Sequence, residues 1–338
     1  MKAVGYKESL EITQTESLLD IEIPEPARPA GRDLLVRIRA ISVNPVDTKI
    51  RKRAKPQAGE FKVLGWDAVG TVEVVGEDCK LFSPGDEVWY AGAIDRPGTN
   101  AELHLVDERI VGKKPVSLDD AKAAAMPLTS ITAWEILFDR LQVIPGKRYT
   151  GETLLIMGAG GGVGSMLTQL ASRLTGLTVI ATASRAETQQ WVTSLGADFV
   201  IDHSKPMLAQ LRNLGIEQVT HVASLTRSDL HFESIVELLA PFGKIAMIDD
   251  PGSLDFTILK TKSISLHWEL MYTRSLFKTA DMIEQHRLLN EVSALVDAGL
   301  LKTSFNKHYG KINADNLKKA HAMIESGKST GKIVLQGF

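Results

Sequence analysis

Cysteine is almost absent from this chain of 338 residues, which carries one, Cys79. A single thiol excludes an intrachain disulfide and a four-cysteine zinc lobe, and it suits a reducing compartment. Long apolar runs are also missing. No stretch approaches the ~20 residues that span a bilayer, and Met1 to Glu8 is mixed and polar where a signal peptide would be apolar. Nor does one sign of charge dominate: 39 Lys and Arg stand against 41 Asp and Glu, a net −2. Bulk charge is therefore not built to grip nucleic acid or an anionic membrane. These absences point to a soluble, cytoplasmic protein with neither kind of partner.

What is present reads as an α/β protein. The chain is 44% apolar and 24% charged with 27 Gly, and its length suits about two domains at ~150 residues each. Up to about Ala124, short β-branched or alternating segments (Leu34–Ile41, Gly70–Val75, Glu87–Tyr90, Ala101–Val106) are separated by turn residues, Pro84-Gly85-Asp86 among them. Beyond it, strands at Thr153–Met157, Thr178–Thr182, Phe199–Ile201, Val219–Ala223, Lys244–Ile248 and Ser263–His267 alternate with helices at Ser165–Leu174, Ala186–Leu195 and Phe232–Leu239. That alternation implies a doubly wound parallel sheet. Two further helices, Ala280–Ala298 and Asn316–Ser326, and a strand at Lys332–Leu335 close the chain.

Gly158-Ala159-Gly160-Gly161-Gly162-Val163-Gly164 lies between the first of those strands and its helix. Glycines are needed where a sharply turning backbone approaches a pyrophosphate with no side chain between. The N–H groups at the helix start then face the negative charge. A strict G-x-G-x-x-G fits only with Ala159 in the first glycine place, followed by Gly161 and Gly164. The context of strand, loop, helix and strand favours a dinucleotide site over a merely flexible loop.

The second strand ends in Thr182-Ala183-Ser184-Arg185, without the acid that NAD binders place near there to hold the ribose hydroxyls. Ser184 can donate to a 2′-phosphate and Arg185 can pair with it, which points to NADPH. The alternative is that Ser184 caps the next helix and Arg185 is a solvated charge.

Further motifs add a resemblance over essentially the whole length. They are Ser42-Val43-Asn44-Pro45-Val46-Asp47, Gly65-Trp66-Asp67-Ala68-Val69-Gly70, Pro84-Gly85-Asp86-Glu87-Val88, Pro127-Leu128-Thr129-Ser130-Ile131-Thr132-Ala133-Trp134 and Ser326-Gly327-Lys328-Ser329-Thr330-Gly331-Lys332. With the glycine run, they resemble the medium-chain dehydrogenase/reductase superfamily. The resemblance implies a GroES-like β-rich domain over 1–126, completed by 271–338, and a Rossmann domain over 127–270.

The zinc branch of that superfamily has Cys where this chain has Asn44, a His-Glu pair where it has Trp66-Asp67, and a further ligand near Leu128. An amide, an indole and an alkyl chain cannot assemble a tetrahedral zinc site. The eight histidines show no ligand spacing and are expected at surface or capping positions. The chain is therefore most similar to the zinc-free quinone oxidoreductase and enone reductase branch, in its zinc-type alcohol dehydrogenase-like group. By that resemblance Asn44 faces the nicotinamide end of the cleft, Thr132 lies by the nicotinamide, and the tail reaching Lys332 closes over the pyrophosphate. Lys49 stands where many quinone reductases carry Tyr. It either donates to a substrate carbonyl with Asn44 or belongs to a solvated basic run with Arg51, Lys52, Arg53 and Lys55.

The activity expected is NADPH-dependent hydride transfer, without a metal, to quinones or α,β-unsaturated carbonyls. A zinc alcohol dehydrogenase and a non-catalytic NADPH-binding protein remain the alternatives. A homodimer joined edge to edge through Ser263–His267 is implied by the resemblance, and an edge strand without charge or proline is consistent with it.

Overall fold

The computed structural model describes residues 1–146 and 151–338. It divides into two compact units, Met1–Ile131 with Tyr272–Phe338, and Thr132–Met271. The first boundary falls at Ile131, five residues beyond the position expected from sequence. Among the described residues no helix is long and apolar enough to cross a membrane.

The first unit is built on a sheet whose long strand, Asp33–Val43, alternates buried Leu34, Val36, Ile38 and Ala40 with less buried residues. This period-two pattern puts one face on the core. Three neighbours pair antiparallel with it: Ala68–Val75, Leu103–Asp107 and the C-terminal Lys332–Gln336. The register sets Ile333 opposite Val43 and Ala68 opposite Ile41. The ends of three segments distant in sequence therefore meet where Asp33–Val43 finishes. A helix, Pro45–Arg53, starts there, with Pro45 at its first position and Asn44 as its extended N-cap.

The basic run is solvated at Lys52, Arg53 and Lys55, which are exposed, but not throughout, for Lys49 is half-buried. Arg51 is fully buried. Three of the eight histidines, His104, His221 and His321, are also buried, against the expectation of surface positions.

The second unit carries six strands in the spatial order Phe199–Ile201, Thr178–Thr182, Thr153–Met157, Val219–Ser224, Leu239–Met247, Ser265–Trp268. Every neighbouring pair is parallel. The strand first in sequence is third in the row, so successive connections run outward on both sides of it, the doubly wound arrangement. Thr153–Met157 is buried along its whole length, as a central parallel strand covered on both faces must be. The final strand is Ser265–Trp268, not Ser263–His267. Ser263 sits in a left-handed turn at φ 49° after the 3₁₀ helix Phe256–Lys262, which delays extended backbone by two residues.

Candidate functional site

In the second unit, the turn after Thr153–Met157 needs its glycines for different reasons. Gly158 has φ +79°, a left-handed conformation that other residues adopt at a cost. A Cβ on Gly164 would lie 2.5 Å from the Ala159 Cα, so helix and loop could not approach as they do. Gly161 differs: a Cβ there meets only the Gly158 carbonyl, at 3.6 Å. Gly161 is the N-cap of helix Gly162–Leu174, which starts three residues earlier than the sequence suggested. Gly161, Gly162 and Val163 are half-buried while Ala159 and Gly164 are buried. The first-turn N–H groups of such a helix lack intrahelical acceptors. The loop therefore presents the first-turn N–H groups of the helix on an uncrowded face.

The Gly158 N–H donates to Thr182 Oγ1 at 3.1 Å, tying the loop to the end of the second strand. Ser184 and Arg185 follow, both exposed. Arg185, not Ser184, is the N-cap of helix Ala186–Ser194, and no side chain caps that end. Glu187 lies in the helix's first turn, leaving the strand tip itself without a carboxylate.

In the first unit, the convergence described above buries a polar centre. The Asp67 carboxylate is fully buried and accepts four hydrogen bonds. Oδ1 takes the Leu128 N–H at 2.8 Å, and Oδ2 takes Ser42 Oγ at 2.8 Å, Asn44 Nδ2 at 2.9 Å and Lys332 Nζ at 3.0 Å. Lys332 Nζ also donates to Asn44 Oδ1 and to the Val43 carbonyl. The Trp66 indole is buried and donates to the Ala93 carbonyl at 3.1 Å.

Models of two protein families match the chain, the alcohol dehydrogenase GroES-like domain over residues 30–116 and the zinc-binding dehydrogenase over residues 195–335. The chain is 38% identical over 337 residues to the zinc-type alcohol dehydrogenase-like protein SAV2186 of Staphylococcus aureus (strain Mu50 / ATCC 700699), covering 99% of each. The chain belongs to the medium-chain dehydrogenase/reductase superfamily. A Rhizobium etli CFN 42 protein described as a zinc-dependent alcohol dehydrogenase has the same fold, with a TM-score of 0.96 and 56% identity covering 100% of this chain and 98% of that one. Mycobacterial Rv1454c, solved in complex with NADPH, gives 0.84 and 27%, covering 99% of each chain.

For a medium-chain dehydrogenase/reductase, the buried centre is informative in what it brings together. Asn44 and Lys332, singled out separately in the sequence, meet at Asp67. Lys49 is half-buried on helix Pro45–Arg53 and Thr132 is buried on helix Pro127–Trp134. Two residues of the first unit went unremarked or unranked. Asp47 Oδ2 accepts the Asn44 N–H at 2.6 Å, yet Oδ1 has no hydrogen-bond partner, and burial pushes the carboxyl up to about 7. Tyr272 is buried with an unpartnered hydroxyl, whose pKa burial and then Asp47 and Asp67 push well above the usual phenol value. Asp47 had a signal, three positions past an N-cap in Asn-Pro-Val-Asp. For Tyr272 there was none; it opens the C-terminal segment of the first unit.

Proposed function

We propose that the protein is an NADPH-dependent reductase that delivers a hydride to quinones or α,β-unsaturated carbonyls without a catalytic metal. The observation that carries the metal-free part is the Asp67 carboxylate, held by four donors of which one is an ammonium. Zinc needs several free donor atoms in a tetrahedral set. Here the one carboxylate is satisfied and next to a cation, Asn44 is an amide bonded on both sides, and the Trp66 indole offers no lone pair. That set does not fit zinc. Among the described residues, no group of three His, Cys, Asp or Glu is placed to hold any metal ion.

Gly158, Ala159, Gly161, Gly162, Val163 and Gly164 fit the pyrophosphate, since the face at Gly161 is open and its neighbours hold the turn. Ser184 and Arg185 suit a 2′-phosphate: they are exposed at the strand tip with no acid between them. NADPH supplies the hydride when bound. The chain's part is to hold the acceptor carbonyl and meet the charge that develops on its oxygen, which without a metal falls to hydrogen-bond donors. Asn44 and Lys49 take that role and Thr132 lines the nicotinamide. The edge strand Ser265–Trp268, bonded on one side to Leu239–Met247, joins a second copy in a homodimer.

NADPH oxidation with a panel of quinones, enones and aldehydes, alongside metal analysis of the purified protein, tests the reading. Turnover of quinones or enones with substoichiometric zinc is expected. Stoichiometric bound zinc overturns it, and rates no higher than those of Gly161→Val leave a nucleotide-binding protein instead.

A further inference from the structure

We propose that Lys332 is a positioning residue, a built-in cation that orients the Asn44 amide, and that it is not a ligand of the cofactor pyrophosphate. The inference rests on the reading of Asn44 as a donor to the substrate oxygen. An ammonium has three hydrogens, and those of Lys332 find three acceptors: the Val43 carbonyl at 3.2 Å, Asp67 Oδ2 at 3.0 Å and Asn44 Oδ1. Its side chain is 4% exposed. Sheet register explains why, because Lys332 immediately precedes Ile333, which pairs with Val43. The strand pairing that returns the C-terminus to the first unit is what delivers the ammonium to the end of Asp33–Val43.

Lys332 and Asp67 together decide which way the Asn44 amide points. An ammonium only donates and a carboxylate only accepts, so the Asn44 oxygen must face Lys332 and its nitrogen must face Asp67. A flipped amide would set donor against donor and acceptor against acceptor. In the observed orientation one Nδ2 hydrogen is committed to Asp67 at 2.9 Å. The other has only the carbonyls of Trp66 at 3.4 Å and Ser42 at 3.5 Å, near the limit of a hydrogen bond. That weakly held hydrogen is the one a substrate oxygen takes. Without Lys332, Asn44 loses the contact that fixes its rotamer, and Asp67 becomes a buried carboxylate with no counter-ion.

The test uses Lys332→Met, Lys332→Arg and the double variant Lys332→Met/Asp67→Asn in the full chain. Three measurements are made: NADPH affinity by fluorescence titration, steady-state kinetics with a quinone or enone, and thermal unfolding across pH. Lys332→Met is expected to lose roughly 10- to 100-fold in kcat, as buried supports of a reacting group do, with NADPH affinity unchanged. Lys332→Arg keeps the charge and the fold. It should also lower kcat, because a planar guanidinium cannot reproduce the three-way contact. In Lys332→Met the lone carboxylate resists ionisation, so the loss of stability relative to wild type should grow as pH rises. It should shrink in the double variant, which removes the Asp67 charge and leaves Asp47 as the buried carboxyl of this centre.

NADPH affinity falling in step with kcat/KM in Lys332→Arg would make the lysine a cofactor ligand and overturn the proposal. A stability loss equal at all pH values and undiminished in the double variant would reduce it to packing, with the same consequence. If the wild type reduces no quinone or enone, the functional reading fails. The affinity and pH-stability measurements still decide the role of Lys332.

Discussion

Arg51 and Glu325 form an ion pair in which the arginine side chain is fully buried and the glutamate is 16% exposed. The pair links helix Pro45–Arg53 to the end of helix Ala314–Glu325, and the guanidinium also donates to the Leu10 carbonyl. One turn before Glu325, His321 is buried with neither ring nitrogen hydrogen-bonded, and burial followed by the Arg51 charge holds its pKa down to about 3. The imidazole is therefore neutral beside the cation, and Glu325 balances Arg51. Removing the carboxylate strands the fully buried guanidinium, so Glu325→Gln should cost about 3–5 kcal/mol in urea unfolding. Lys52, which meets Glu325 at 2.9 Å but is 42% exposed, should cost under about 1 kcal/mol when changed to Met. Equal losses for the two would refute the argument.

Asp47 makes stability depend on pH in a defined direction. Burial raises its folded-state pKa from 3.8 to about 7 despite the Asn44 N–H and the Lys332 charge. Between those values the folded chain holds a proton that the unfolded chain has released. The resulting stabilisation is present at low pH and is lost as pH rises through about 7. Asp47→Asn keeps an acceptor for the Asn44 N–H and cannot ionise. Its melting temperature should match wild type near pH 4 and exceed it at pH 8, the gap amounting to a few kcal/mol at most. A constant offset at both pH values would exclude this origin.

The glycine loop separates folding from binding. Gly164→Ala places a methyl against the Ala159 backbone at 2.5 Å and should destabilise the protein by about 1–3 kcal/mol. Gly161→Val sets its Cβ no nearer than 3.6 Å to the Gly158 carbonyl, an ordinary contact, so melting should stay near wild type while affinity for both NADPH and NADH falls. Isothermal titration together with melting curves distinguishes the two. A Gly161→Val protein with full cofactor affinity would remove the pyrophosphate from this loop.

The parts of this architecture that read directly from sequence were those with a local signature. Thr153–Met157 is an apolar run because both its faces are covered, and the glycine loop follows from the turn it makes. Helix Pro45–Arg53 was invisible as a helix because the residues it buries are Asp47, Thr48 and Arg51, which leave no apolar stripe. The meeting of Asp67 with Lys332 spans 265 positions, and no periodicity encodes it. Only the register of two antiparallel pairings brings them together. The two-residue slip at Ser263 arose because Ile264 and Leu266 alternate like a strand, while Ser263 still belongs to the turn that ends a 3₁₀ helix.

On the proposed reading, cofactor preference would rest on Arg185. An exposed guanidinium at the strand tip contributes a charge-assisted bond to a 2′-phosphate and nothing to a 2′-hydroxyl. Arg185→Ala should thus weaken NADPH by about 1.5–3 kcal/mol and leave NADH nearly unchanged. Parallel losses for both cofactors would show that the residue does not read the phosphate.

Assembly is tested at the other edge of the same sheet. Among the described residues Ser265–Trp268 pairs with Leu239–Met247 on one side only, and Trp268 and Leu270 beside it are 52% and 50% exposed. An edge with unpaired backbone groups and exposed apolar side chains invites a further strand. Nothing within Ser265–Trp268 blocks one, for the segment has no proline or formal charge. Two copies related by a two-fold axis would pair these edges and cover the tryptophans together. Trp268→Lys removes that apolar area and sets like charges on both copies, while the side chain it replaces is half in solvent already. The variant should keep the wild-type melting profile at low concentration and shift from dimer to monomer in light scattering. A wild type that is monomeric at micromolar concentration would end the proposal, as would a Trp268→Lys protein that stays dimeric.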